Sequence, residues 1–172
     1  RALLARQFLL KREKLSAIDV VQKLCGMQAQ IPRPPFIGLW TRLTKFEPDD
    51  LLTLARSKKL VRGTTMRGTI HLHTVADYLH FRPLLSEFLA KGAWTVSGKK
   101  LGDIDVQPLY TLGREFFSKN AAPFDEMRAA IEAKFPRYDV RAAAYVIRMG
   151  IPLVMVPTDD DRWGWAGNAG FT

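Results

Sequence analysis

Two glutamines two positions apart, Gln28 and Gln30, have the most chemistry to offer in this chain. In an extended connection, side chains at i and i+2 share a face, so the two carboxamides around Ala29 would converge on one side. Each amide carries an acceptor oxygen and two donor hydrogens at neutral charge. Such a pair suits holding a water in place or reading the edge of a base. The same spacing also fits a polar loop flanking a helix. Context bears on the choice. The pair follows an amphipathic helix in the most basic part of the chain, and Pro32, Pro34 and Pro35 restrict the backbone just beyond it.

The other reactive residue types are poorly spaced. His71 and His73 alternate on a strand, which places both imidazoles on one face, with His80 nearby and Cys25 and Asp77 the nearest candidates for a third ligand. None of these has the spacing of a known metal site, so the pair reads as a polar wing edge or a phosphate contact, and no metal is expected. Cys25, alone at the end of a helix, reads as a small core residue. Gly63, Gly68 and their neighbours match no phosphate-cradling loop. Asp159-Asp160-Asp161 lacks the glycine and distal glutamate of a calcium loop and reads as a solvated hairpin tip. No cofactor is expected.

The surrounding composition is basic and uneven. Among 172 residues, 26 Lys and Arg face 17 Asp and Glu, a formal charge of +9. Residues 1–45 hold 9 basic and 2 acidic side chains (+7), residues 46–104 are at +3, and residues 105–172 are at −1. A field focused at one end attracts a polyanion, nucleic acid above all, with an anionic membrane surface the main rival. A content of 47% hydrophobic and 10% aromatic residues excludes intrinsic disorder, and one cysteine excludes an internal disulfide framework. No apolar stretch approaches the ~18 residues of a membrane span. The chain opens at Arg1 with no signal-peptide pattern, so it is read as trimmed, soluble and cytoplasmic, in a reducing compartment.

Periodicity supplies the elements that must hold these residues. Residues 1–24 read as two helices, the second capped by Ser16 with Asp19 three positions on and ended by Gly26. Phe36 to Leu43 and Pro48 to Lys59 read as two more. The period then shortens. Leu60–Met66 and Thr69–His73, separated by Arg67-Gly68, form a hairpin pattern. Thr74 can cap a helix to about Lys91, kinked or split by Pro83, and 92–102 reads as a linker. Asp105–Ser118, Phe124–Phe135 and Tyr138–Met149 are helical, followed by Leu153–Val156, a turn, and Trp163-Gly164-Trp165 as a second hairpin. The expected fold is mainly α with short β-hairpins: two tandem winged-helix (helix-turn-helix plus wing) units at 1–73 and 105–172, connected by 74–104.

Four stretches then show a resemblance: Leu3-Leu4-Ala5-Arg6-Gln7, Gly26-Met27-Gln28-Ala29-Gln30, Gly38-Leu39-Trp40 and the run Arg62 to Leu72. With Leu153 to Pro157 and Trp163-Gly164, they are similar to the winged-helix DNA glycosylases related to AlkZ and YcaQ, in the Gln-x-Gln branch. The resemblance implies excision of alkylated purines such as N7-alkylguanine from double-stranded DNA, and in some relatives the unhooking of interstrand crosslinks. It places Gln28 and Gln30 at the catalytic position, without a small-molecule cofactor or a membrane. It also implies that family members are longer, with a third winged-helix unit and a β-rich part beyond these residues.

For DNA contact the expected residues are Arg33 beside the glutamines, Arg42 and Lys45 ending the third helix, and Arg62, Arg67 and His71 on the first hairpin. The tryptophans at 40, 94, 163 and 165 are read as packing residues. Two other readings remain open. One is a winged-helix transcriptional regulator, in which the third helix of a unit reads the major groove and the glutamines are structural. The other is a protein–protein module, against which the +7 cluster argues.

Overall fold

The computed structural model describes residues 1–159 and 161–172, so the reading of Asp160 lies outside the described residues. The chain is mainly helical around one small antiparallel sheet. Helices α1 (Ala2–Arg6) and α2 (Ala17–Lys23) lead to strand β1 (Met27–Gln28). Then come α3 (Pro34–Trp40), α4 (Pro48–Arg56), β2 (Leu60–Thr64), β3 (Ile70–Thr74) and the long α5 (Val75–Ser97). Helices α6 (Gln107–Lys119), α7 (Phe124–Lys134) and α8 (Val140–Gly150) precede β4 (Val154–Met155).

The local start signals hold. Ser16 and Asp19 form a reciprocal capping box on α2, and Thr74 Oγ1 accepts the Asp77 backbone N–H at the head of α5. Proline shifts one boundary: α3 begins at Pro34 rather than Phe36, because prolines fit a helix's first turn, where N–H groups have no partner anyway. Helix α5 runs unbroken through Pro83 to Ser97, so the expected split does not occur and the helix crosses much of the expected linker. Cys25 is not a core residue. It is exposed at φ 56°, in the left-handed turn that ends α2, and Gly26 at φ 100° follows it.

The sheet has the order β1-β3-β2-β4. Hairpin β2–β3 pairs Leu60 with Thr74 through Thr64 with Ile70, and turns at Arg67-Gly68, both at positive φ. The second wing differs from expectation. Strand β4 pairs with β2 (Arg62 opposite Met155), and its other edge bonds the chain end: Val154 and Thr172 exchange both backbone hydrogen bonds. Trp163 to Trp165 form no strand. Trp165 is buried instead and donates its indole N–H to the Met155 carbonyl. Both halves of the chain therefore contribute to one sheet, and one apolar core runs beneath it from Val20 and Leu39 through Leu72 to Ile147.

Two of the three histidines, His71 and His73, are buried against this core, and His80 is exposed. His73 is fully buried, its Nε2 is 2.9 Å from Thr65 Oγ1, and its Nδ1 has no partner among the described residues. Burial pushes its pKa down to about 4, with the neighbouring His71 adding to the effect. The unfolded chain binds the proton more readily, so stability present above pH 6.5 drains as pH falls toward 4. The gap is worth on the order of 3 kcal/mol. Denaturant unfolding of wild type should show that loss between pH 6.5 and 4, and His73→Gln should flatten much of it; equal pH slopes in the two proteins would contradict this origin.

Candidate active site

Strand β1 delivers the glutamines. Met27 and Gln28 pair with Leu72 and His71, and Ala29 N–H extends the ladder to the Ile70 carbonyl. Ala29 is buried, while Gln28 and Gln30 are both exposed on either side of it. At the next rung a side chain replaces the backbone: Gln30 Oε1 accepts the Ile70 N–H at 3.1 Å. Gln28 Oε1 lies 3.4 Å from the Arg67 guanidinium at the hairpin turn. Each amide oxygen thus faces a group that can only donate, which fixes the orientation of both carboxamides. Among the described residues, no hydrogen bond is made by either Nε2.

The backbone of this segment is held from inside. Arg62, 3% exposed on β2, donates from Nε to the Ala29 carbonyl (2.8 Å) and from Nη2 to the Gln30 carbonyl (3.0 Å). Its guanidinium also lies 5.8 Å from the Trp165 ring. Burial, helped by the nearby charge of Arg148 and opposed by Asp161, lowers its pKa to about 10. Arg62 is therefore no surface phosphate contact but a clamp on the Gln-Ala-Gln backbone. Replacing it by Met removes both donors from buried carbonyls and should cost about 2 kcal/mol in denaturant unfolding. Arg62→Lys should recover little of this, since one ammonium cannot reproduce the planar fork. Full stability of the Lys variant would contradict the clamp.

The other expected contact residues divide. His71 is 2% exposed, with Nδ1 3.0 Å from the Thr69 carbonyl, and burial lowers its pKa, so it does not face DNA. Arg42 is half-buried and spends its guanidinium on the Gln7 and Gly38 carbonyls at 2.9 and 2.7 Å, tying α3 to the segment after α1. Arg33, Lys45 and Arg67 are exposed. Arg33, three positions after Gln30 in the chain, has its guanidinium 5.8 Å from the Trp163 ring, which itself packs edge-on against Phe36. Trp40 is 55% exposed under the Arg12 guanidinium and is not a core residue.

A cleft of about 320 Å³ opens beside Gln30. Arg62, Ile70 and Met155 form its sheet side, and Phe124, Asp125, Arg128 and Arg148 come from α7 and α8. Gln30 lines it; Gln28 does not. Sequence reasoning missed Asp125, Arg128, Arg148 and Asn168, which stand about a hundred positions from the glutamines and carry no motif. Arg62 carried one signal: alternation along β2 puts it in phase with Leu60 and Thr64, both buried.

Residues 21–172 match the model of the family described as DNA glycosylase AlkZ-like. A Streptomyces sahachiroi protein named interstrand DNA cross-link repair glycosylase is 33% identical over 89 residues, which make up 52% of this chain and 23% of that one. The solved structure of Streptomyces sahachiroi DNA glycosylase AlkZ matches with a TM-score of 0.73 at 22% identity, over 98% of this chain and 46% of that one. The fold is shared, and the chain spans less than half the length of either relative.

Proposed function

The chain belongs to the AlkZ-like DNA glycosylase family, and from that premise we propose that it hydrolyses the N-glycosidic bond of alkylated purines, N7-alkylguanine above all, in double-stranded DNA. The observation that carries this reading is the pair of exposed carboxamides, oriented through their oxygens, with Gln30 opening onto a basic cleft. N7 alkylation makes the base cationic. When the C1′–N9 bond breaks, the electron pair goes to N9 and neutralises the base, so no strong general acid is needed. A water then adds to C1′ and releases its proton to solvent. In the proposed mechanism Gln30 and Gln28 hold that water against the carbon where positive charge develops. Arg33, Lys45 and Arg67 meet phosphates and carry no sequence information.

The name of the Streptomyces sahachiroi relative supports extending the proposal to the unhooking of interstrand crosslinks. The same proposal includes two winged-helix units, 1–73 and 105–172, joined by 74–104, and a cytoplasmic site of action on the nucleoid. Among the described residues no helix is long and apolar enough to cross a membrane.

The test is release of free base from a duplex bearing one 7-methylguanine, followed by chromatography. Release by the full-length protein above the spontaneous rate supports the assignment. No release, together with a preferred sequence in a binding-site selection, favours the regulator.

A further inference from the structure

Charge in the cleft beside Gln30 is unbalanced. Three arginines line it, Arg62, Arg128 and Arg148, against one acidic residue, Asp125, which is paired with Arg128. Arg148 rests on the faces of Phe124 and Phe171 at 5.7 and 5.3 Å and, among the described residues, has no hydrogen-bond or carboxylate partner. Arg62, more than nine-tenths buried, keeps one nitrogen, Nη1, without a partner among the described residues. Asp161 acts on Arg62 from outside the lining and does not cancel the excess. Arg62 and Arg148 repel each other, and burial holds both below the ordinary arginine pKa. The first turn of α7 also lines the cleft through Pro123, Phe124 and Asp125, which adds the positive end of a helix dipole.

Only an anion resolves this arrangement. A cationic N7-alkylguanine has the wrong sign, and an apolar group would leave the Arg148 guanidinium and Arg62 Nη1 without partners. We propose that the cleft is a phosphate subsite, holding one backbone phosphate next to the nucleotide that Gln30 addresses. Every sugar in a strand has a phosphate as its neighbour, and the exposed Arg67, 3.4 Å from Gln28 Oε1, is placed to continue the track. The assignment rests on the glycosylase reading for the position of the sugar, while its electrostatics stand independently.

The test measures binding of the full-length protein to duplexes that carry a stable abasic analogue and one uncharged methylphosphonate linkage, moved one phosphate at a time. One linkage beside the analogue should weaken wild-type binding about tenfold. Arg148→Gln should weaken binding of the all-phosphate duplex similarly, lower the salt slope by about one, and become insensitive to that linkage. Arg148→Lys should restore the salt slope. If Arg148→Gln does not melt cooperatively, Arg128→Gln at the exposed rim carries the same comparison. Additive losses, or equal effects of all linkages, overturn the subsite. So does competition by inorganic phosphate with no linkage effect, which would mark a site for the free ion alone. A protein that shows the coupling but releases no base keeps the subsite and loses the hydrolysis. One that releases base through its glutamines but shows only additive losses does the reverse.

Discussion

Single-turnover release of 7-methylguanine is expected to fall about 10²-fold in Gln30→Ala and about tenfold in Gln28→Ala, with duplex affinity nearly unchanged. The difference between the two follows from placement. Gln30 opens onto the cleft, with its oxygen already satisfied by the Ile70 N–H, so its amide hydrogens are free for water. Gln28 stands to one side, tied to Arg67. An alanine at 30 also forfeits the bond to Ile70, worth about 1 kcal/mol. Gln30→Glu keeps that acceptor and should melt like wild type, which separates loss of chemistry from loss of fold. A rate loss in Gln30→Ala that tracks its melting temperature would argue for a structural glutamine.

The largest effect on stability is expected from Arg82→Ala, which should cost about 3–5 kcal/mol in urea unfolding. Arg82 lies on α5, is 1% exposed, and is among the largest fully buried side chains. Its Nη2 donates to the Met149 and Ile151 carbonyls at 2.7 and 2.8 Å, and Nη1 to Ser86 Oγ at 2.9 Å. The charge thereby caps the C-terminal end of α8, where carbonyls lack partners and the dipole favours a cation. Tyr78, one turn earlier on α5, donates its hydroxyl to the Leu153 carbonyl at 3.0 Å. Together they hold the segment that leads into β4, and so the Met155 side of the cleft. Arg82→Met, which fills the space without donors, should recover only the packing part. A loss below about 1 kcal/mol in Arg82→Ala would mean that water satisfies those carbonyls.

What the sequence made legible was local. The Ser16–Asp19 box, the Thr74 cap and the turn at Arg67-Gly68 each depend on residues within four positions, and each stands where its pattern predicts. The Gln28–Gln30 pair was legible for the same reason, as alternation along a strand with Ala29 turned inward. Long-range pairing was not. Nothing in Leu153 to Val156 specifies β2 and the chain end as partners rather than Trp163 to Trp165. Buried arginines were misread because Arg normally stays at the surface, and only unmet carbonyls at another element's end draw it inside. Arg62 and Arg82 both serve such carbonyls, on Ala29, Gln30, Met149 and Ile151. His71 and Arg42 lost their expected DNA roles to the same demand for backbone partners.

The most direct measurement is single-turnover base release by Gln28→Ala, Gln30→Ala and the double variant, side by side on one 7-methylguanine duplex. If both amides hold one water, the double variant is no slower than Gln30→Ala alone, because the second loss has nothing left to disrupt. A double variant slower than Gln30→Ala by a further tenfold would contradict the shared water, and one as fast as wild type would contradict any role for the pair.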